Sequence, residues 1–453
     1  MPLVGTRGAA SAQGFGMFAS IGEKYWLGQL KGAGQTSYGR GVAIDSLKNV
    51  YLSGTNANSG QTAKYNTSGI IQSQTYVNDF SNGNNTVGVA VDSSNNAYYV
   101  NKLYSGSLGV GSISVIKYNS SGVRQWTRRF INLNSTADAK AITVDPSGNV
   151  YISGEWSTAS AYYIVVIKID SSGNTVWQQR LNSGSGDIVL YPYGNIAADS
   201  SGNVYLSGIS WNTTGGGLGQ EILIWKIDST GANVWQRALG GAGTHQGWGA
   251  GVDSSGNVYV VGRPDNYVAI AKYNSSGTLQ WSRQLYNAGR QIQANSITVD
   301  ASGNSYVYGI MRVDASTPAL LNAFIAKYDT SGTIQWQRRL GTTSIIGGRE
   351  TNTTIRNLAL SSDGVMYVNG SSDPSAQYAD NFFFAKLPSD GSKTGVYTLS
   401  GVSYTYAATS LTDSAGSFSS STLSYSVSGN SWSQDTTNLT EATSALVSSV
   451  TTI

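Results

Sequence analysis

Apolar and small residues alternate over short stretches of this chain, and polar segments that contain Gly separate the stretches. Residues 249–264, for example, read GAGVDSSGNVYVVGRP. Alternation with a period of two predicts a half-buried β-strand, and an Asp followed by a Gly favours a tight turn. The pattern therefore predicts two antiparallel strands joined by a turn.

A second pair of strands follows the first. Residues 270–285 read IAKYNSSGTLQWSRQL and residues 325–340 read IAKYDTSGTIQWQRRL. An apolar strand, a Gly turn and a strand with one Trp thus recur with almost the same sequence. Each repeating unit is expected to contain four antiparallel strands.

The unit recurs at a nearly constant spacing. The first turn of each unit begins at Asp45, Asp92, Asp145, Asp199, Asp253, Asp300 and Ser361. Six intervals cover this range at about 53 residues each, which is the spacing of β-propeller repeats. The spacing predicts an all-β fold, a seven-bladed β-propeller of four-stranded antiparallel blades over residues 23–395.

The fourth strand of most units carries a Trp at a fixed place. These residues are Trp126, Trp177, Trp235, Trp281 and Trp336. One large aromatic side chain per blade fills the space between neighbouring sheets, so we interpret the series, together with Trp26, as structural. The same position holds Ser73 in the first unit and Gly395 in the last.

A fourth strand without a unit of its own precedes the first unit. Residues 23–30, EKYWLGQL, match the fourth strands, whereas the last unit has three recognisable strands and no fourth. An N-terminal strand in that place closes the ring and removes an open sheet edge. We therefore expect residues 23–30 to close the propeller.

The motifs VDxxGNVYxxG and KYxxSGxxxW, which recur in register, resemble the bacterial β-propeller repeat called SBBP, found in bacterial surface proteins and some phage proteins. The resemblance covers residues 23–390 and implies the propeller fold rather than a particular function. Ser73, Ser361, Leu387-Pro388 and Gly395 depart from the pattern in the first and last blades.

The connections within and between units fall into two classes. The two Gly turns barely vary, whereas connections such as residues 210–221 and 341–356 are long and unlike one another. All variable connections should emerge at one end of the sheets, where binding is usually found. Aromatic planes beside hydrogen-bonding groups suit sugar rings and protein partners alike. The candidate binding residues are Trp156, Tyr162, Tyr163, Tyr191, Tyr193, Trp211, Trp248, Tyr267, Arg290, Arg312 and Arg349.

Composition narrows the functional classes. Charged residues make up 12% of the chain and the net charge is +3, which is too weak and too dispersed for nucleic-acid binding. The chain has no Cys, which excludes disulfides and thiolate metal sites. His245 is the single His, and no known catalytic motif appears. We therefore expect no enzyme activity, no catalytic residue, no metal site and no cofactor.

The two ends differ from the repeats. Residues 1–22 are rich in Gly, Ala and Ser, and residues 396–453 are rich in Ser and Thr without any Lys or Arg. The segments GTRGAASAQGFGMFA and SSVTTI resemble the ends of structural proteins from marine bacteriophages, especially those of cyanobacteria. This resemblance implies a virion protein of the tail or its fibres. Its N-terminal arm and C-terminal β-rich tail would bind other virion proteins, and its propeller would bind a host-surface glycan or protein.

The chain shows no signal-peptide pattern and no apolar run long enough for a spanning helix. We therefore expect a virion location, after synthesis in the host cytoplasm, without membrane insertion. Two alternatives use the same scaffold: a secreted or surface-bound bacterial adhesin, and an enzyme that acts on polysaccharide.

Overall fold

The computed structural model is built from β-strands, with no helix among the described residues, so no described segment is a candidate membrane-spanning helix. The predicted arm at residues 1–22 lies outside the described part of the chain. The structure describes residues 25–31, 37–56, 59–78, 85–105, 110–131, 136–158, 162–182, 188–189, 196–212, 219–240, 243–264, 267–313, 320–342, 351–373, 381–399, 402–422, 426–429, 433–435, 440–443 and 447–452.

The first five units each form an antiparallel sheet from consecutive strands, and one strand, β1 (Trp26–Lys31), precedes them. The first unit contains β2 (Ser37–Ile44), β3 (Val50–Asn56), β4 (Ser59–Tyr65) and β5 (Ile71–Asn78). The second contains β6 (Asn85–Val91), β7 (Ala97–Ser105), β8 (Val110–Tyr118) and β9 (Arg124–Ile131). The third contains β10 (Thr136–Val144), β11 (Val150–Ser157), β12 (Tyr162–Ile169) and β13 (Thr175–Asn182). The fourth contains β14 (Ile188–Val189), β15 (Ile196–Ala198), β16 (Val204–Asn212), β17 (Gly219–Ile227) and β18 (Asn233–Gly240). The fifth contains β19 (His245–Val252), β20 (Val258–Pro264), β21 (Tyr267–Tyr273) and β22 (Leu279–Tyr286).

The sixth and seventh units share one larger sheet. The sixth unit contains β23 (Ile292–Val299), β24 (Ser305–Arg312), β25 (Leu320–Tyr328) and β26 (Ile334–Thr342). The seventh contains β27 (Thr351–Leu360), β28 (Val365–Asp373) and β29 (Asn381–Pro388). A short parallel contact, in which Leu320 and Leu321 face Thr351 and Asn352, joins β25 to β27. The N-terminal strand β1 pairs antiparallel with β29, and Trp26 lies opposite Lys386.

An Asp holds the first turn of each of the first six units, and the Ser361 hydroxyl, bonded to the Val365 backbone, takes its place in the seventh. In the third unit, Asp145 accepts hydrogen bonds from the backbone N–H of Asn149 at 2.9 Å, from the Asn149 side chain at 2.8 Å and from the Tyr151 hydroxyl at 2.9 Å. A Gly with positive φ completes most of these turns, and Lys48 and Asn95 adopt the same left-handed conformation in the first two units. The motif DSSGN therefore fixes the turn and ties it to a buried Tyr.

The repeated Trp packs on the neighbouring unit. The Trp126 ring lies so close to Gly173 in the third unit that a Cβ there would come within 3.0 Å of it, and its Nε1 donates a hydrogen bond to the Ser171 carbonyl at 3.2 Å. Lys117 donates to the same carbonyl at 2.8 Å. Trp177, Trp235 and Trp281 donate in the same way to Ser229, Ser275 and Thr330. The Trp and the Lys of one unit thus hold the second Gly turn of the next.

The first strands of the units surround a cavity of about 340 Å³. Its lining is largely aliphatic and includes one residue or more from each first strand, among them Val42, Val89, Ile142, Ile196, Ala250, Ile297 and Asn357. Between units, apolar clusters join each sheet to the next, so the core is divided among the gaps between sheets.

The C-terminal part adds outer strands to these sheets. After β30 (Gly395–Leu399), the chain forms β31 (Val402–Ala408), β32 (Thr412–Ala415), β33 (Ser419–Thr422), β34 (Ser426–Gly429), β35 (Ser433–Asp435), β36 (Thr440–Thr443) and β37 (Val447–Thr452). We call residues 402–452 the C-terminal strap. Its strands β31 to β37 pair antiparallel, in this order, with β26, β22, β18, β13, β9, β5 and β1. All of these contacts lie within one chain, and the expected binding of residues 396–453 to other virion proteins stays a prediction.

Candidate functional site

The two ends of the sheets carry different surfaces. The tight-turn end holds the repeated Gly turns, and the variable end holds the connections that differ between units. Among the described residues, the large exposed apolar side chains of the tight-turn end are Leu47, Ile70, Val123, Val176 and Val234. At the variable end, Tyr162 has an exposed fraction of 50%.

An aromatic and cationic cluster lies at the variable end of the third unit. The rings of Trp156 and Tyr163 stack with centroids 4.7 Å apart and an angle of 25° between their planes. The Arg180 guanidinium lies 5.2 Å from the Trp156 ring centre and 5.3 Å from that of Tyr163. Because β11, β12 and β13 are adjacent, backbone pairing places Trp156 opposite Tyr163 and brings Arg180 within reach. Trp156 itself is buried in the apolar cluster between the second and third units, with an exposed fraction of 8%, so the prediction that it binds a ligand directly is wrong. The exposed Tyr162 precedes Tyr163 in β12 and therefore points to the opposite face of the sheet.

Four charged side chains form a network beside this cluster. Lys140 contacts Asp138 at 3.1 Å and Glu155 at 2.8 Å, and Lys102 contacts the same Asp138 at 2.8 Å. Burial lowers the pKa of Lys140, but the charges and hydrogen bonds of the two carboxylates outweigh it, so that the pKa lies above its ordinary value. The network thus holds a charged ammonium group in a largely buried place.

The other predicted binding residues whose side chains the structure describes lie in the fifth and sixth units. Tyr267 packs against Tyr286 and against Phe418 of the strap, with centroids 5.0 and 6.1 Å away. Arg290 donates a hydrogen bond to the Val313 carbonyl at 2.7 Å, next to Arg312. Trp248 is half-buried in β19. The backbone of Trp211 belongs to β16, while its side chain, Tyr191, Tyr193 and Arg349 lie outside the described residues.

The lone His is buried rather than presented at the surface. His245 has an exposed fraction of 3%, and its ring meets that of Phe418 edge-on, with centroids 5.8 Å apart. Within the described ranges, no three His, Cys, Asp or Glu side chains lie close enough to hold a metal ion.

The repeated turn and the Trp that packs on the next Gly turn belong to a known repeat pattern. Residues 125–155 and 280–309 match the SBBP β-propeller repeat. Each matched segment begins in the fourth strand of one unit and ends in the second strand of the next. The SBBP repeat therefore spans the boundary between two sheets, where the Trp contacts are made.

Several solved structures are similar to this chain at low sequence identity. A catalytically inactive virginiamycin B lyase from Staphylococcus aureus, crystallised with quinupristin, is similar over 80% of this chain and 99% of its own, with 12% identity and a TM-score of 0.47. A protein from Lactobacillus plantarum is similar over 69% of this chain and 94% of its own, with 16% identity and a TM-score of 0.40. A polysaccharide lyase is similar over 78% and 90%, with 10% identity and a TM-score of 0.41. No curated protein matches the chain.

The expectation that this chain is not an enzyme is contradicted by these neighbours, because two of them are lyases. The absence of a short catalytic motif was insufficient ground for that expectation, since the connections of repeated sheets can bring catalytic residues together from distant parts of a chain. At these low identities and TM-scores, the likeness assigns no reaction to this chain.

Sequence reasoning missed Arg180 and the four-charge network. Both leave a signal in the sequence of the units. An Arg stands three residues after the repeated Trp in some units, at Arg129, Arg180 and Arg339. In β10 the charged residues Asp138 and Lys140 alternate with Ala, which sets two charges into a strand that is otherwise uncharged.

An ion pair between Lys48 and Asp363 joins the first and seventh units at the tight-turn end. We expect it to make the free energy of unfolding depend slightly on pH in the acid range. Burial raises the pKa of Asp363, but hydrogen bonds from Lys48 and Ser361 outweigh it and lower the pKa to about 2. Because the folded-state pKa is depressed, the stabilisation is present above the ordinary value of 3.8 and is lost as the pH falls through about 2. The Lys48→Met substitution should therefore cost about 0.5 kcal/mol near pH 7 and almost nothing at pH 2, a small effect because both groups are partly exposed.

Denaturant titrations at the two pH values measure this difference. Asp363→Asn is the matched control, since it should cost about as much at neutral pH, and combining the two substitutions should add little. Full additivity of the two losses would mean that the ion pair contributes nothing.

Proposed function

We propose that the seven units form a closed, seven-bladed β-propeller. Among the described strands, the backbone pairing between the sixth and seventh units is limited to the short parallel contact between β25 and β27, so each unit counts as a blade. Strand β1 takes the place of the missing fourth strand of the seventh unit. Its Trp26 donates to the Thr67 carbonyl of the first unit at 3.3 Å, which repeats the contact that Trp126 makes with Ser171.

We infer that this propeller is a recognition protein that binds a glycan at its variable end. The observation that carries this inference is the half-buried Tyr163 with the Arg180 guanidinium 5.3 Å from its ring centre; the buried Trp156, stacked on Tyr163, holds both side chains in place. Aromatic faces pack on the apolar faces of sugar rings, while guanidinium and ammonium groups bond to hydroxyl and carboxylate groups. An acidic polysaccharide suits this combination best.

A glycan array with the intact protein identifies the ligand, and two matched variants locate the site. Tyr163→Ala should weaken binding about tenfold, the usual effect of losing an aromatic contact. Val176→Ala should leave binding unchanged, because Val176, with an exposed fraction of 51%, lies in the same sheet at the opposite end. Equal binding by both variants, or no binding to any acidic glycan, would contradict the proposal.

The same experiment separates recognition from catalysis. The bound polysaccharide is incubated with the protein and assayed for new reducing or unsaturated ends. Steady release of product would assign this site to an enzyme. The role in a phage tail, which the terminal segments imply, stays a prediction, and deletion of residues 1–22 or 396–453 with an assay of particle incorporation tests it.

A further inference from the structure

From β32 onward, the strands of the C-terminal strap follow one another in steps of seven residues. They begin at Thr412, Ser419, Ser426, Ser433, Thr440 and Val447. Each step carries the strap from the outer strand of one unit to the outer strand of the preceding unit, from the fifth to the first, and then to β1. Seven residues of the strap therefore span the distance from one sheet to the next.

A large apolar residue recurs with the same period. Each of those six strands is preceded by one, and the series reads Tyr404, Leu411, Phe418, Tyr425, Trp432, Leu439 and Leu446. In the described part, Tyr404 lies in the apolar cluster between the sixth and seventh units, Leu411 in that between the fifth and sixth, and Phe418 against that between the fourth and fifth. At each of these three described positions, one side chain of the strap thus packs in one gap between sheets.

Polar contacts fix the position of the strap at several of these steps. Gln337 accepts from the Leu411 N–H at 2.8 Å and donates to its carbonyl at 2.9 Å. Asp413 pairs with Arg283 and accepts a hydrogen bond from the Tyr328 hydroxyl at 3.1 Å. The Tyr404 hydroxyl accepts from Gln29 of β1 at 2.7 Å. These side chains bond the strap in one register and would lose their partners in another.

We propose that the outer edges of the sheets form a circular peptide-binding track. Its ligand is a Ser- and Thr-rich segment with a large apolar side chain at every seventh position, and the occupant is the C-terminal strap of the same chain. Backbone pairing supplies affinity and the gaps between sheets supply register, as in other cases of strand addition. This track is separate from the proposed glycan site and goes beyond that function.

Two deletions in the full chain test the seven-residue register. Removing residues 417–423 deletes one whole step, so the rest of the strap should stay in phase, shift by one sheet and leave only β1 uncovered. Removing residues 419–422 deletes less of the chain and keeps Phe418, but it puts every later apolar residue out of phase. Hydrogen exchange should therefore show protected outer amides in β13, β9 and β5 after the longer deletion, and exposed ones after the shorter deletion.

Equal protection of those strands in both deletion variants would overturn the proposed seven-residue register. A second test asks whether the strap binds as a ligand. A protease site is inserted between β30 and β31 of the full chain, and the folded protein is then cut. The strap should elute together with the propeller in size-exclusion chromatography at micromolar concentration, and its separation from the propeller would overturn the proposal of a binding track.

Discussion

Replacing Trp26 with alanine should lower the free energy of unfolding by about 3–5 kcal/mol, the usual cost of removing a large aromatic side chain from a core. Trp26 has an exposed fraction of only 1%. Its ring centre lies 5.6 Å from that of Phe384 in the seventh unit and 6.5 Å from that of Tyr65 in the first. The substitution would leave a cavity between these two units and would weaken the contact of β1 with both. A denaturant titration monitored by far-ultraviolet circular dichroism measures this loss of stability.

The matched control is Trp281→Ala, which removes the same residue type at the corresponding place in the fifth unit. Trp281 is half-buried and covers the Gly332 turn of the sixth unit. Its loss should cost roughly 1–2 kcal/mol, because less apolar area leaves water when the protein folds. If Trp26→Ala were as stable as the unchanged protein, β1 would not hold the two ends of the ring together.

Alkaline pH should unfold this protein in a steep transition above pH 10. Burial, together with the carboxylate that each one contacts, raises the pKa of the turn tyrosines Tyr51, Tyr98, Tyr151, Tyr205 and Tyr259 well above the ordinary value of 10.0. In the unfolded chain the same groups lose their protons near pH 10. Their stabilising contribution is therefore complete below pH 10 and is lost as the pH rises, at about 1.4 kcal/mol per pH unit for each tyrosine.

Tyrosinate absorbance and circular dichroism, recorded together through the pH range, test this prediction. The two signals should change together, because these tyrosines ionise only when the protein unfolds. Tyr151→Phe is the control, since it removes one titrating group and should make the dependence on pH less steep by about 1.4 kcal/mol per unit. Ionisation of these tyrosines near pH 10 in a protein that keeps its circular dichroism would contradict the assignment.

The candidate site could be predicted only in part. Trp156 and Tyr163 were identified because they flank a variable connection between two recognisable strands. Their stack with Arg180 depends on the register of three neighbouring strands, which backbone hydrogen bonds set across the sheet. Tyr267 was predicted to bind a ligand on the same ground, yet Phe418 covers it. The strap that carries Phe418 comes from a distant part of the sequence, so no local pattern indicated this contact.

Local patterns alone determined the four strands of each unit, their tight turns and the repeated Trp and Lys. These features depend on alternating apolar and polar side chains and on the residue types that favour tight turns, and both can be read from a few neighbouring residues. The lone N-terminal strand and the missing fourth strand of the last unit also predicted that β1 pairs with the seventh unit, as it does. Only the tertiary structure decided that the strap follows the sheets in reverse order. Such pairings depend on which sheet edges stay open after the units have formed. A Ser- and Thr-rich segment buries too little surface to fold alone. Its strands form only by pairing with the outer edges of sheets that the units have already built, so its seven-residue period could not be interpreted from the sequence.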